Sequence, residues 1–479
     1  MARIYLVAVS ALLGIFSLTS DLSAQGDDWY VSVANYARYY YFKDTKADSS
    51  ATRFQFDLYM DRFYMGGWYE LQHVMGGDFG NITNNDITQR YFGWENDGLT
   101  IHAGTFYQVF DRGLILNTFR DDDVGVDYVL DGLQLNWRQQ YFDLDAISAT
   151  PGIGGGFGKA ALRGGRLKLK PANLFHLGGA YVSYIPDNRD NLSQVNARIN
   201  LDYIDAYVEY ARRKYREFNF DDPLNPLSKG GDGTYANVTG YYSYFTAMFE
   251  YKNYIFLIYP EAGYLNIPPA VNRQDRLIRS ELANYVYITN PLNGERGYRG
   301  NLTASWSDYW GVEVDYARAY SRDDSLSLVL TETFFEIRGN YFEQNTFHAN
   351  LDFFEFTLRD ELRSELEFTY FLNDFNALEL LAYQINYEPL DSVSYSEKFL
   401  DLSYIKTPDF RLTVGGSITD NENPEGKKRM AHAELTLTFD SHEFVIFYGG
   451  QRGGLVCSGG VCTYHPTFEG LRLILHSRF

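Results

Sequence analysis

The feature that most limits what this chain can fold into is a period-two alternation of apolar and polar residues along most of its length. Phe54, Phe56, Leu58 and Met60 fall on one side of a segment whose other side carries Gln55, Asp57 and Asp61. Val195, Ala197, Ile199 and Leu201 alternate with Asn196, Arg198, Asn200 and Asp202. Val312, Val314 and Tyr316 oppose Glu313 and Asp315, and Leu366, Phe368 and Tyr370 oppose Glu365, Glu367 and Thr369. Ala433, Leu435, Leu437 and Phe439 oppose Glu434, Thr436 and Thr438. Period two is strand geometry, and Tyr, Phe, Val and Thr favour it. A helix needs apolar positions at three- and four-residue steps, which these segments lack. Beyond the first two dozen residues no apolar run is long enough for a transmembrane helix. The chain is therefore expected to be all-β, either a soluble sandwich or a membrane barrel.

Turn chemistry separates these two. Asn96-Asp97-Gly98 is a hairpin signal, and further breaks are expected at Lys252-Asn253, Ser307-Asp308, Thr407-Pro408-Asp409 and Asp440-Ser441-His442. Longer polar connections are expected over 76–87, 110–125, 214–236, 321–345 and 451–466. Short turns alternating with long loops fit a transmembrane antiparallel β-barrel with short periplasmic turns and long extracellular loops. The aromatic share of 17%, with 41 Tyr and 35 Phe, suits girdles at two membrane interfaces. Trp29-Tyr30, Tyr39-Tyr40-Tyr41-Phe42, Trp68-Tyr69, Tyr241-Tyr242 and Tyr309-Trp310 are expected at strand ends.

The formal net charge of -20 argues against nucleic acid as a partner, because phosphate binding needs a basic surface. The two cysteines exclude a disulfide-dense scaffold and an iron–sulfur protein. Residues 1–24 read as a secretory signal peptide, with Arg3, an apolar run from Ile4 to Leu18, and Leu22-Ser23-Ala24 before the cleavage point. Residues 25–479 read as one barrel domain. Its strand pattern begins at Trp29, which leaves no room for a TonB-type plug. At about 10 residues per strand plus connections, roughly 18–24 strands are expected, with about 22 the best count. A barrel of that size encloses a lumen wide enough for solutes unless loops fill it.

The chain ends Leu471-Arg472-Leu473-Ile474-Leu475-His476-Ser477-Arg478-Phe479, with Leu471, Leu473, Leu475 and Phe479 on one face. This ending resembles the C-terminal signature of Gram-negative outer-membrane barrels. That resemblance implies a closing strand read by the barrel-assembly machinery. Asp111–Asn117, Arg120–Asp127, Asp131-Gly132-Leu133 and the stretches Gly453–Cys462 and Phe468–Leu471 resemble segments of uncharacterised Bacteroidota-type outer-membrane barrels. The resemblance spans most of residues 29–479. It implies an outer-membrane location among lipid and lipopolysaccharide, and it carries over no catalytic residue.

Alternation assigns Asp57, Arg198, Asp202, Glu313, Asp315 and Glu367 to the lumen wall. Asp121, Asp122 and Asp123 are expected to bind Ca²⁺, to form a pore constriction or to lie in a solvated loop that bridges lipopolysaccharide through divalent ions. Arg273, Arg276 and Arg279, with Arg296 and Arg299, form an anion-attracting eyelet if their loop folds inward and a charged surface if it folds outward. Cys457 and Cys462 are expected to form a disulfide in an oxidising periplasm, closing a loop too small to add much stability. Only His465 lies near them, so no metal site is expected there, and no cofactor is expected. Gly152–Gly165 is not a P-loop, because Ala160 stands where Ser or Thr must bind Mg²⁺. His-Glu-x-x-His and Gly-x-Ser-x-Gly are both missing, so catalysis is not expected. The expected function is passive, porin-like passage of small hydrophilic solutes, with the acid excess favouring cations. The alternatives are a loop-plugged barrel that docks a protein or glycan partner and, third, an outer-membrane enzyme.

Overall fold

In the computed structural model the alternation becomes one antiparallel sheet of 24 strands that closes on itself. The structure describes residues 29–479 apart from 76–81, 122–125, 153–160, 186–190, 218–226, 256, 258–293, 308–309, 322–327, 342–344, 357–358, 391–392, 423, 425, 459–460 and 466. The expected signal peptide lies outside the described residues. Each strand pairs with the next along the chain. The first, Trp29–Phe42, pairs with Ala47–Met60 on one edge and with the last, Phe468–Arg478, on the other. At this seam Ala34 stands opposite Arg478 and Phe42 opposite Gly470. Phe479 N–H donates to the Val33 carbonyl at 2.8 Å, and Val33 N–H returns the bond at 3.1 Å. Closure leaves no unpaired sheet edge, which lets a β-structure sit in hydrocarbon. Two short strand pairs are not part of the barrel sheet, Arg120–Asp121 with Val126–Asp127 and Gly454–Ser458 with Val461–His465. The described residues contain no helix long and apolar enough to cross a membrane.

The two ends of the barrel differ. Trp29 and Phe479 share one end, and the connections there run two to four residues. Asp97 and Gly98 take φ values of 48° and 77°, the left-handed pair that a type I′ hairpin turn requires. The expected break at Lys252-Asn253 is not a turn. Both residues lie inside Phe245–Ile255, and the chain turns earlier, at Ser243 and Tyr244. Lys252 is buried on the inner face, so its charge marks the lumen side rather than a loop. At the other end several strands run further than hydropathy suggests. Ile82–Asn96, Ile204–Glu217, Leu227–Tyr242 and Leu328–Tyr341 take up much of the expected loops. Polar residues continue the hydrogen-bonded ladder there beyond the apolar stretch that marks a strand in sequence.

The two faces follow the alternation. Val195 is 60% exposed and Phe353 50% exposed on the outer face, whereas their neighbours Asn196 and Asp352 are 6% and 2% exposed on the inner face. A soluble protein shows the reverse, whereas a transmembrane barrel has this inside-out pattern. Tyr141, Tyr203, Tyr242, Tyr244, Trp306 and Phe375 stand exposed around the short-turn end as an aromatic girdle. Trp68-Tyr69 is not part of it. That pair sits in mid-strand, within Phe63–Met75, where Tyr69 points out and Trp68 points in against Arg53 and Arg120.

Candidate functional site

The described residues of the connection between the strands Leu99–Phe106 and Leu130–Arg138, 107–121 and 126–129, fold into the barrel rather than away from it. Its first half is a tight hairpin. Val109 bridges Asn117, Phe110 N–H donates to the Leu116 carbonyl at 3.0 Å, and Gly113 N–H donates to the Phe110 carbonyl at 2.9 Å. Asp111 and Gly113 both adopt positive φ, 52° and 83°. A side chain at Gly113 would meet Asn117, so the turn needs glycine. The hairpin's underside is apolar. Phe110, Leu114, Ile115 and Leu116 are at most 1% exposed and pack on inner-wall residues that include Ile147, Leu162, Val182, Leu192 and Tyr235. At roughly 1.5–3 kcal/mol for each such side chain buried, this packing is the main force holding the segment inside.

Polar contacts fix the height of the segment. Asp111 accepts from Gln194 Nε2 at 2.7 Å, Asn196 Nδ2 at 2.8 Å and Arg166 Nη1 at 3.3 Å. Arg112 N–H donates to Glu209 Oε2 at 3.3 Å, and its guanidinium lies over the Tyr207 and Tyr235 rings. On the opposite flank Arg120 donates to Glu70 Oε1 at 2.6 Å and to Asp127 Oδ2 at 2.9 Å, and it lies over Trp68. Arg53 also donates to Glu70 Oε1, at 2.7 Å. Arg53, Arg166 and Asn196 stand near the middles of Ala47–Met60, Ala161–Ala172 and Asn191–Leu201. The segment is thus a shelf at half height, and its anchors reach from Arg53 around to Tyr235, nearly half of the barrel wall.

The wall carries charges of both signs. Arg166 Nη2 lies 2.6 Å from Asp145, Lys170 Nζ 2.8 Å from Asp143, Arg299 Nε 2.7 Å from Asp315 and Lys252 Nζ 2.7 Å from Glu295. Of the six expected wall residues, five lie within barrel strands and one does not. Asp57 is buried and accepts from Gln55 and the Tyr91 hydroxyl. Arg198 pairs with Asp205 on the neighbouring strand. Asn301 donates to Glu313 at 2.7 Å and to Asp315 at 2.9 Å, and Glu367 lies beside His348. Asp202 is the exception. It sits exposed in the two-residue turn before Ile204, because the strand ends one residue earlier than the alternation suggests.

The other candidates fall out as follows. Asp122 and Asp123 lie outside the described residues, as do Arg273, Arg276 and Arg279. Asp121 belongs to the short strand Arg120–Asp121 on the inward segment, and its side chain is outside the described set. Arg296 and Arg299 are not loop residues; they belong to the strand Glu295–Ser305. The hairpin register sets Cys457 opposite Cys462. Sequence reasoning offered a pore constriction at Asp121, Asp122 and Asp123 but did not find the apolar hairpin around 109–117 that folds inward. The signal for it was Leu114-Ile115-Leu116 within a connection, since a loop in water has no use for three consecutive large apolar residues.

A recess of about 250 Å³ opens in the inner wall near the seam. Tyr383 and Phe399 stack there at 4.1 Å, and Phe447 lies under the Arg472 guanidinium at 4.6 Å. Arg472 donates to Glu434 at 2.8 Å, and Arg411 pairs with Glu379. Arg472 faces the lumen while Leu471 and Leu473 take the other side of the closing strand.

The fold is similar to that of solved barrels at very low sequence identity. The structure of the P pilus usher (PapC) translocation pore matches with a TM-score of 0.53 and 9% identity, covering 94% of this chain and 99% of that one. An E. coli P pilus tip assembly intermediate, PapC-PapD-PapK-PapG, matches with a TM-score of 0.57 and 9% identity, covering 96% of this chain and 62% of that one. These likenesses establish a shared large-barrel architecture. No curated protein matches the sequence. The sequence profile of a family of unknown function, DUF6029, matches residues 1–308 and 366–479, and the chain belongs to that family.

Proposed function

We propose that this protein is an outer-membrane channel for small hydrophilic solutes, narrowed at half height by the inward segment 107–129. The observation that carries this reading is the shelf itself, with its apolar underside on the wall and Asp111 and Arg120 pinned at its two flanks. A shelf fixed by charged hydrogen bonds narrows the passage without sealing it. The wall beyond it offers charges of both signs, which replace part of a solute's hydration. The excess of acids gives the passage a cation preference. The recess near the seam, with ring faces beside guanidinium groups, provides a resting place for a polar solute such as a sugar.

A filled barrel that docks a protein or glycan partner is the second reading. It is favoured by the burial of Lys252, Glu332, Asp352 and Arg363, which are at most 2% exposed although they sit on the inner wall. Planar-bilayer recording of the folded protein separates the two. Stable ohmic steps, with a reversal potential on the cation side under a salt gradient, support the channel. Silence from protein shown to be folded supports the filled barrel.

A further inference from the structure

We infer that the inner wall holds a binding site for a divalent transition-metal ion of the Zn²⁺ class, with His348, Glu365 and Glu367 as ligands and Glu336 orienting the imidazole. The residues come from three neighbouring strands, Leu328–Tyr341, Asn345–Phe356 and Arg359–Asn373. The register sets His348 directly opposite Glu367 and Asn350 opposite both Glu336 and Glu365. Glu365 and Glu367 are two apart, so strand geometry puts both carboxylates on the inner face. One ligand atom each from His348, Glu365 and Glu367 lies within 4.8 Å of the others.

Two observations point to a cation rather than to a plain charged patch. First, the imidazole already stands between two carboxylates. Its Nε2 lies 3.0 Å from Glu336 Oε2, while its Nδ1 faces Glu367 Oε2 at 3.9 Å. A carboxylate behind one ring nitrogen keeps the proton there and frees the other nitrogen to bind metal. Second, Glu365 is 6% exposed, and among the described residues its Oε1 has no hydrogen-bond partner. A buried carboxylate oxygen without a donor is costly, and a metal ion removes that cost. Imidazole with carboxylates suits Zn²⁺ and its neighbours, whereas Mg²⁺ and Ca²⁺ prefer all-oxygen cages. Ligand atoms on a tetrahedral Zn²⁺ stand about 3.3 Å apart, which small rotations of the half-buried His348 and Glu367 reach. Three protein ligands leave the fourth position open to the lumen, the arrangement of an exchangeable site.

The test is isothermal titration of the detergent-folded, EDTA-stripped full chain with Zn²⁺, followed by thermal unfolding with and without the ion. It needs no conduction, so it stands or fails separately from the channel reading. The expected result is one Zn²⁺ per chain, with loss of binding in His348→Ala and Glu365→Gln. Glu336→Gln is expected to weaken binding about 10–100-fold, as changes to the group behind a ligating histidine do. Glu367→Gln, at a more exposed position, serves if the buried changes prevent folding, and it too should lose binding. The unfolding temperature should rise with Zn²⁺ in wild type and not in these variants. No uptake by wild type would overturn the inference. So would unchanged affinity in His348→Ala, or equal displacement of Zn²⁺ by Mg²⁺.

Discussion

Inside the barrel, Asp111 accepts a 2.7 Å hydrogen bond from Gln194, a residue at mid-wall on a strand the chain reaches only after four further barrel strands. With the Arg120–Glu70 contact on the other flank, it turns a connection between adjacent strands into a shelf inside the barrel. Hydrogen bonds to charged groups contribute about 1.5–3 kcal/mol each, comparable to burying one large side chain. The shelf therefore depends on both its apolar underside and its polar ends. Asp111→Ala should loosen the segment without unfolding the wall. Limited proteolysis within 107–129 is the check, and faster cleavage than in wild type is expected.

The outer face should tolerate no charge. Val195 lies at mid-strand and points outward, so Val195→Arg should cost about 2–4 kcal/mol of folding stability in a bilayer. Thr413 lines the inner recess, and Thr413→Arg should stay within about 0.5–1 kcal/mol. Urea unfolding in lipid vesicles measures both. Equal costs would contradict the assignment of faces.

The seam makes a sharper demand. A side chain at Gly470 would run into the Tyr41 carbonyl oxygen across the closing strand pair. Gly470→Val should therefore prevent closure, seen as loss of the compact band in unheated gels. Around Gly300 nothing lies within 4 Å of an added side-chain carbon, and Gly300→Ala should close as wild type does.

The Lys252–Glu295 pair is buried on the inner wall at 2.7 Å. Lys252→Met leaves Glu295 charged and buried, at a cost of about 3–5 kcal/mol. Adding Glu295→Leu should recover most of that loss, because an apolar pair needs no counter-charge. Thermal unfolding of the single and double variants gives the comparison.

The sequence exposes strands better than it exposes what lies between them. Asn196 and Val195 are told apart by parity alone, since a strand's two faces follow directly from spacing. Strand ends are less legible, which is why Asp202 sits in a turn rather than on the wall. Polar residues mark a turn and a lumen face equally well, so Lys252-Asn253 resembles a break although it lies within a strand. The direction in which 107–129 folds depends on Ile147, Leu162 and Leu192, which no local window joins to Leu114. The His348 cluster is less legible still. It draws its histidine from one strand, two carboxylates from a second and the orienting Glu336 from a third, so spacing shows only the Glu365/Glu367 half.

The central claim is that 107–129 sets the aperture of an open passage. Single-channel conductance of wild type beside the Asp111→Ala, Arg120→Ala double variant, in one planar bilayer system, tests it most directly. The account predicts stable steps in wild type, and larger steps with weaker cation preference once both flanks of the shelf are released. Identical steps in the two proteins, or none in either although both are folded, would contradict it.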